Sequence, residues 1–421
     1  MLSTFEQAGG AARSAHRLYR HLSRLGADCS MLVQYRQSDD PLVSGPEGWF
    51  ARTAGALRPY LDGLPLLCYR SRLSPPWSLA WLPKNIDAEV MACSPDLIHL
   101  HGIGHGFLPI SAIARLSAWP LVWTLHDSWA FTGGCHLPDT CDRYRIACGS
   151  CPQLNARHEH DLSRWVWHRK AACWPQLDIT FVAPSRWLAR SAQASSLLSR
   201  CRIEVIPNGI DTAIFSPGDR LEARRALGLP LDRRLILFGA NCALSDPNKG
   251  FDLLRGALHS LNGEKLQNAE LVVFGDILSR TLPACGLPAR NLGIIADDER
   301  LVLLYRAADL FVAPSRQENL PNMVMEAMAC GTPSVAFDVG GLSDIITHCT
   351  TGYLAPPYEV GELARGIMRL LGDESRRQAM ADNGRRWIDD NLNMVRVVER
   401  YQALYRDILS ARGGQPLTLH C

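Results

Sequence analysis

The sequence has few of the features that mark a membrane-spanning, secreted or nucleic-acid-binding protein. Its 421 residues carry a formal net charge of only +2, so the totals do not show the basic excess of a nucleic-acid binder. Its apolar runs are all shorter than the roughly 18 residues that a bilayer span needs. The opening residues, Met1 to Glu6, lack the basic patch and apolar stretch of a signal peptide. We therefore expect a cytoplasmic protein with no nucleic-acid partner.

Lysine is also scarce, whereas cysteine is not. The lysines are Lys84, Lys170, Lys249 and Lys265, and the other 40 basic residues are arginine. The chain has 14 cysteines, but without a secretion signal a disulfide framework is not expected. Most of them are scattered and are predicted to be small buried apolar residues.

The length and the apolar pattern together predict two α/β domains. A chain of 421 residues with 47% hydrophobic residues is too long for one ordinary core. Short apolar runs such as 235–238, 270–274 and 309–313 alternate with helical segments, which is typical of a parallel sheet covered on both faces. The turn at Pro207-Asn208-Gly209 sets the boundary, giving domains at 1–212 and 213–388 and a tail at 389–421. The end of the second domain and the tail are predicted to be helical throughout from Glu374 to Arg412.

The strongest motif is the run from Pro314 to Pro333, PSRQENLPNMVMEAMACGTP. Glu318 follows a predicted strand, and Glu326 lies on the next helix among apolar residues. A carboxylate there is costly to bury unless a partner satisfies it, as sugar or ribose hydroxyls would. The amides at the helix start could also hold a phosphate oxygen. The alternative is that Glu326 pairs with a core arginine and Glu318 is a solvated loop residue.

This run resembles the nucleotide-sugar site of retaining glycosyltransferases of the GT-B fold, family 4. The resemblance continues at Val122 to Asp127 (VWTLHD), Ile206 to Asp211 (IPNGID), Phe337 to Gly341 (FDVGG) and Gly352 to Leu354 (GYL). The WTLHD segment and its cysteine-rich sequel are most similar to exopolysaccharide and colanic-acid-type members. The resemblance implies two Rossmann-like parallel-sheet domains, an interdomain cleft and a C-terminal helix that returns to the first domain.

The resemblance also implies residue roles in the second domain. Glu318 would contact the transferred sugar and Glu326 the ribose, with Asn319 and Leu320 beside them in the donor site. Lys249, followed by Gly250, would clamp the donor diphosphate together with a Gly-Arg pair. Here Gly239 is followed by Ala240 instead of arginine, so Asn241 or Arg316 is considered as the substitute.

In the first domain the resemblance points to a glycine pair and a histidine. The backbone at Gly9-Gly10 would approach a phosphate, although a Gly-Gly pair alone indicates only a turn. His126 would contact the donor sugar with Asp127 orienting it, against the alternative of a structural histidine. Three further histidines are considered as acceptor-side contacts: His99, His101 and His105.

Four cysteines lie close together in the chain, at Cys135, Cys141, Cys148 and Cys151. Their thiols could form a tetrahedral structural zinc site that orders this loop, with His136 as a reserve ligand. The alternative is buried free thiols. A catalytic zinc is not expected, because four cysteines would close the coordination shell.

Two further features concern the start of the chain and a possible membrane contact. Family members begin with a strand before the glycine loop, and only Met1 to Gln7 precede Gly9 here. We therefore expect that strand to be short or absent, and a gene start upstream of Met1. Basic residues and tryptophans mix between Arg164 and Trp174, which suits either a bilayer surface or a domain-packing helix.

The resulting prediction is a retaining glycosyltransferase that moves a hexose from a nucleotide-diphosphate-sugar to a glycan acceptor, lipid-linked in surface or exopolysaccharide biosynthesis. It would need no cofactor for catalysis and could lie peripherally on the inner face of the membrane. One alternative keeps the fold and changes the reaction to that of a phosphorylase or epimerase. Another is a degenerate or truncated homologue that acts as a binding protein.

Overall fold

The computed structural model describes residues 1–73, 76–240, 242–261, 266, 268–275 and 282–411. The chain divides into two compact units, one formed by Met1–Pro207 with the segment from Val397 onward, the other by Asn208–Arg396. Each unit is an α/β domain built on one fully parallel sheet. The alternation of apolar runs and helices therefore predicted the fold class correctly.

The first unit has a sheet with the spatial order β3-β2-β1-β4-β5-β6-β7. The strands are β1 Leu2–Phe5, β2 Met31–Tyr35, β3 Val43–Ser44, β4 Ile98–Leu100, β5 Leu121–Thr124, β6 Ile179–Ala183 and β7 Ile203–Val205. Around them lie α1 Gly9–Arg24, α2 Gly48–Asp62, α3 Asp87–Cys93, α4 Ile110–Arg115, α5 Leu162–Cys173 and α6 Arg186–Gln193. The strand order reverses between β1 and β4, which is where ligands bind in such sheets.

Strand β1 is short but present, and it takes a central place in the sheet. Leu2 pairs with Leu32 of β2 on one side and with Leu100 of β4 on the other. Leu2, Ser3 and Thr4 are buried. Four residues are thus enough to occupy the middle position, because both neighbouring strands supply backbone partners.

The second unit repeats this architecture with the order β10-β9-β8-β11-β12-β13. Its strands are β8 Arg234–Gly239, β9 Ala269–Phe274, β10 Ala289–Asn291, β11 Leu310–Ala313, β12 Ser334–Phe337 and β13 Gly352–Ala355. Its helices are α7 Arg220–Leu227, α8 Phe251–Ser260, α9 Asp298–Ala307, α10 Asn322–Ala329, α11 Val360–Leu371 and α12 Glu374–Asn391. All residues of β9, β11, β12 and β13 are buried, as expected for strands covered on both faces.

The helical tail is interrupted, which corrects the prediction of continuous helix from Glu374. Helix α12 ends at Asn391, and α13 Met394–Ala411 begins after a break. The break is stabilised by Ile210, whose amide donates to the Leu392 carbonyl at 2.8 Å and whose carbonyl accepts from Met394 N at 2.9 Å. From Val397 onward α13 belongs to the first unit, where Tyr401 and Tyr405 are buried.

Candidate functional site

In the second unit, the predicted site residues lie where the strand order reverses between β8 and β11. The carboxyl ends of neighbouring parallel strands meet at one edge, so the loops that follow them lie side by side. Lys249 belongs to the loop after β8, and Glu318 to the loop after β11.

Asn248 joins these two loops, although the sequence analysis did not single it out. Its side-chain oxygen accepts from Gln317 N at 3.0 Å, and its Nδ2 donates to the Gln317 carbonyl at 2.9 Å. Gly250, with φ +68°, lets the backbone approach so closely that a Cβ there would lie 2.0 Å from the Pro314 carbonyl oxygen. The Lys249-Gly250 pair is therefore needed for packing as well as for its charge.

The central contact of the site is an ion pair between Lys249 and Glu318. Lys249 Nζ lies 2.7 Å from Glu318 Oε1, and Ser315 Oγ donates to the same oxygen at 2.9 Å. Burial alone would lower the pKa of Lys249, but attraction to Glu318 outweighs it and raises that pKa above its ordinary value. The ammonium therefore stays charged near neutral pH.

A third loop, which follows β12, packs closely against the backbone of Glu318. Gly340 has φ +61°, and a Cβ there would lie 1.7 Å from the Glu318 carbonyl oxygen. The amide of Gly341 donates to that oxygen at 3.1 Å. The Gly-Gly pair in the FDVGG segment thus fixes the position of Glu318, which explains a motif that the sequence showed without its reason.

Glu326 is 2% exposed on α10 and does have a buried polar partner. Its Oε2 accepts from the Tyr305 hydroxyl at 2.8 Å. Between Glu318 and the helix, Leu320 is buried and Asn319 is half-buried. Helix α10 starts after Pro321, whose side chain does not cap it. The N-terminus of a helix favours a bound anion through its backbone amides and its dipole.

The residues considered for the second half of the diphosphate clamp are held by other contacts or lie outside the described residues. The Arg316 guanidinium forms two bonds with the Asp252 carboxylate, at 2.7 and 3.0 Å. Gly239 is packed against the Phe274 ring, which a Cβ would meet at 2.0 Å. Ala240 is buried. Asn241 is among the residues that the structure does not describe.

In the first unit, Gly9 and Gly10 are the first two residues of α1, soon after the carboxyl end of β1. Gly9 has φ +84°, a conformation that favours glycine. Ala8, which precedes helix α1, does not cap it with its side chain, and the first turn has no acidic residue. The approach of the Gly9-Gly10 backbone to a phosphate stays a prediction.

His126 pairs with another histidine instead of being oriented by Asp127. Its Nε2 lies 3.1 Å from His101 Nδ1, and the two rings stack. Burial lowers the pKa of His126 to about 4, and the pull of Asp127 in the other direction is weaker. His126 is therefore a neutral imidazole at neutral pH.

Asp127 positions His136, a contact that the sequence did not predict. Asp127 Oδ2 lies 2.7 Å from His136 Nδ1, and His136 Nε2 lies 2.9 Å from Ser78 Oγ. Ser78 Oγ also accepts from the amide of His105 at 3.0 Å. Ser78 and His136 are 58 positions apart in the sequence, which explains why sequence spacing gave no signal for this chain of contacts. Both ring nitrogens of His136 are thus engaged.

His99 is structural rather than an acceptor-side contact. It is buried, and its two ring nitrogens lie 2.7 Å from Tyr405 Oη and 2.8 Å from Thr124 Oγ1. Tyr401 Oη lies 3.0 Å from the same Thr124 oxygen. These contacts hold α13 against β4 and β5.

The four clustered cysteines line one cavity of about 20 Å³, and all are free thiols. Burial raises the pKa of Cys148 to about 12 and that of Cys151 to about 11, so both are protonated near neutral pH. Within the described residues, no three His, Cys, Asp or Glu side chains are arranged to hold a metal ion. A structural zinc here stays a prediction, which metal analysis of the purified protein would test.

The tryptophan-rich helix, now α5, is largely packed into the first unit. Val166 and Lys170 are fully buried, and so is Trp174 just beyond the helix end. Lys170 Nζ donates to the carbonyl of Thr132 at 3.0 Å and lies over the Trp129 ring. Only Trp165 keeps an exposed ring, so α5 fits the domain-packing alternative. Among the helices of the described ranges, none has the length and apolar content to cross a bilayer.

Comparison with known families divides the chain near the same boundary. Residues 8–214 match Glycosyltransferase Family 4, and residues 219–387 match Glycosyl transferases group 1. Among curated relatives, D-inositol 3-phosphate glycosyltransferase of Mycobacterium tuberculosis is 37% identical over 176 residues, 40% of this chain. The match spans only 36% of that relative's length.

Solved structures resemble nearly the whole chain. Sucrose-phosphate synthase from Thermosynechococcus elongatus has a TM-score of 0.67 at 21% identity, covering 97% of this chain and 96% of that one. Anabaena HepE, solved with UDP and glucose, has a TM-score of 0.63 at 18% identity, covering 96% and 98%. At such identities the likeness is one of fold. The chain thus carries a Glycosyltransferase Family 4 domain followed by a Glycosyl transferases group 1 domain, and its fold is that of the GT-B structures.

Proposed function

We propose that this protein is a retaining glycosyltransferase that moves a hexose from a nucleoside-diphosphate sugar to a lipid-borne glycan, in surface or exported polysaccharide synthesis. The observation that carries the proposal is the Lys249–Glu318 pair, 2.7 Å apart at the reversal point of a parallel sheet. It sets a cation suited to a diphosphate beside a carboxylate suited to sugar hydroxyls. The fold neighbour HepE, which was solved with UDP and glucose, supports this class of donor.

In the proposed reaction the bond between the anomeric carbon and the diphosphate oxygen breaks, and its electron pair stays on that oxygen. The acceptor oxygen bonds to the same carbon from the same face, and its proton passes to the leaving diphosphate. Lys249 remains charged at neutral pH and stabilises the negative charge that develops on the leaving group. The first amides of α10 add to this positive potential.

The remaining residues position the donor. Glu318 is held in place by Ser315 and by the close approach of Gly340. Its carboxylate accepts hydrogen bonds from hydroxyls of the sugar ring. The Glu326 carboxylate accepts hydrogen bonds from ribose hydroxyls in addition to the one from the Tyr305 hydroxyl. His126 acts as a neutral hydrogen-bonding group on the sugar, because its pKa of about 4 leaves it uncharged at neutral pH. In this scheme Lys249 and helix amides supply the charge, so no divalent cation is required.

The first experiment is a thermal-shift screen against UDP, GDP, ADP and dTDP and their sugar conjugates. A ligand at about 100 times its dissociation constant adds roughly 2.7 kcal/mol to the folded state, which shifts the melting temperature clearly. We expect one nucleotide family to do so, and Glu326→Gln to weaken its binding about tenfold while keeping the Tyr305 contact. A folded protein that responds to none of them contradicts the proposal and favours a degenerate homologue.

Turnover is then tested with Lys249→Ala, which should lower kcat about 10²- to 10³-fold. Lys84→Ala is the matched control, because Lys84 lies in the first unit over the Phe107 ring. NMR of the product decides the anomeric outcome, and an inverted anomer would refute retention. Turnover that requires inorganic phosphate would indicate a phosphorylase, and donor conversion without acceptor an epimerase.

A further inference from the structure

Helix α2 presents its large apolar side chains to solvent, and its polar side chains that face the protein are Arg58 and Asp62. Gly55 and Asp62 are its buried residues. Large side chains on the opposite side are exposed: Trp49 at 71%, Phe50 at 82% and Tyr60 at 77%. This is the reverse of an ordinary amphipathic helix of a globular protein, whose apolar stripe faces the core.

The exposed side chains form one continuous face. At about 100° per residue, Trp49, Phe50, Leu57, Tyr60 and Leu61 fall within an arc of about 120°. All five are exposed. The rings of Trp49 and Phe50 are arranged edge to face, with 4.8 Å between their centroids. The face continues beyond the helix, because Leu64 and Leu67 are exposed as well. We call these seven residues the α2 face.

Polar contacts, not apolar packing, hold the other side of α2 to the first unit. The Asp62 carboxylate accepts from the amide of Leu79 at 2.9 Å, and the Tyr35 hydroxyl donates to the Gly55 carbonyl at 2.9 Å. The Arg58 guanidinium donates to the carbonyls of Leu82 and Pro83 at 3.1 and 3.2 Å. The orientation of the helix is thus specified, so the exposure of the α2 face is built into the fold.

The charges around the α2 face indicate what covers it. Arg52, Arg70 and Arg72 are exposed along the same segment, against one exposed acid, Glu47. A helix with aromatic and leucine side chains on one face and arginines beside it suits the headgroup region of an anionic bilayer. Tryptophan and tyrosine are favoured at that depth because each joins an apolar ring to a polar group.

We propose that the α2 face docks this protein on an anionic lipid surface, with α2 lying in the plane of the headgroups. The inference deepens the lipid-borne acceptor of the proposed function, since docking would bring the first unit to the membrane that carries such an acceptor. It also moves the expected membrane contact from the helix at 164–174, which is largely packed, to α2.

The test is flotation of the full-length protein with vesicles of phosphatidylcholine alone or of equal parts phosphatidylcholine and phosphatidylglycerol. We expect binding to the anionic vesicles, and at least about tenfold weaker binding for Trp49→Ser/Phe50→Ser. Arg70→Glu/Arg72→Glu should weaken binding to the anionic vesicles. The matched control is Ile146→Ser/Ile294→Ser, which removes two exposed apolar residues elsewhere and should bind normally.

A second pair, Leu64→Ser/Leu67→Ser, repeats the test if the first variant folds poorly. No binding by the wild type, or equal binding by wild type and both face variants, overturns the proposal. So does a dimer that light scattering detects and that Trp49→Ser/Phe50→Ser dissociates, because the α2 face would then contact a second copy. Flotation needs neither donor nor acceptor, and the nucleotide thermal shift needs no lipid, so the two proposals fail separately.

Discussion

The two units share a fold but bury their polar groups in different ways. Around β4 and β5 the first unit buries neutral groups, where His99 lies beside the hydroxyls of Thr124 and Tyr405 and His101 lies beside His126. The second unit buries an ion-pair network beside β11. Its Asp309, 1% exposed, lies 2.8 Å from Arg224 and 3.5 Å from Arg377, which are also buried. The same parallel sheet can therefore be stabilised by neutral hydrogen bonds or by ion pairs.

This difference has consequences for pH and for mutation. A neutral histidine in a buried site becomes costly when it must take up a proton, whereas a buried ion pair becomes costly when one partner is lost. The first unit should therefore be sensitive to acid, and the second to single substitutions within its charge network.

The largest expected effect is acid unfolding of the first unit before the second. Burial lowers the pKa of His105 and His126 to about 4, and those of His99 and His101 well below the ordinary 6.5. Between pH 6.5 and about 4 the unfolded chain binds protons that the folded unit does not. Its free energy of unfolding then falls by about 1.4 kcal/mol per pH unit for each such proton, and above pH 6.5 the contribution vanishes.

Hydrogen exchange followed by mass spectrometry checks this prediction from pH 7 to 4.5, after correction for intrinsic exchange rates. We expect β4 and β5 to lose protection at a higher pH than β8 and β11. Equal loss in both units, or earlier loss in β8 and β11, would contradict the contrast between neutral and charged interiors.

The next effect comes from removing the charge at the centre of the second unit. Asp309→Ala leaves Arg224 and Arg377 buried without that counter-charge and should cost about 3–5 kcal/mol in the free energy of unfolding. Urea unfolding measures it. The control is Asp407→Ala, which removes an exposed carboxylate paired with Arg202 at 2.6 Å and should cost less than about 1 kcal/mol. Similar losses of unfolding free energy for both variants would refute the view that Asp309 is an essential buried counter-charge.

A smaller effect is expected from adding a methyl group at Gly340, next to the Glu318 loop. Comparison with Gly293 separates the cost of a steric clash from the cost of a positive φ. Gly340 and Gly293 both have positive φ, +61° and +67°, but only Gly340 has another backbone within reach of a Cβ. Gly340→Ala should therefore destabilise by about 1–3 kcal/mol more than Gly293→Ala, and should also weaken nucleotide-sugar binding. Thermal unfolding with and without the donor measures both. Equal behaviour would show that the close approach to Glu318 is unimportant.

The smallest effect concerns the neutral network of the first unit. Ser78→Ala removes the partner of His136 Nε2 and of the His105 amide, and should cost about 1–2 kcal/mol. Ser410→Ala, at an exposed serine of α13, should stay within about 0.5 kcal/mol. Urea unfolding of both variants makes the comparison. A neutral Ser78→Ala would indicate that the Asp127–His136–Ser78 chain adds nothing to stability.

Much of the fold and of the second-unit site could be predicted from local patterns. The apolar runs predicted the sheets, because a strand buried on both faces needs apolar side chains throughout. Lys249 and Glu318 stood out because they follow predicted strands, and the structure brings them to 2.7 Å. Asn248 carried no comparable signal, since its role depends on a loop almost 70 residues away.

The first-unit site was harder to predict, because its contacts also join segments that are not neighbours in the sequence. Asp127 neighbours His126 in sequence, yet its carboxylate bonds to His136 because the loop after β5 folds back on itself. The tail was predicted as one helix, because helical periodicity does not reveal that Ile210 inserts its backbone between α12 and α13.

Local patterns in the amino-acid sequence were enough to predict the two parallel-sheet domains and to single out the Glu318–Glu326 motif. These depend on hydrophobic periodicity and on turn residues, which act over short stretches of chain. The pairing of side chains, the neutral state of the buried histidines and the face of α2 that meets solvent became known from the three-dimensional fold. Those outcomes depend on contacts between distant segments, whose burial and charge no local pattern contains.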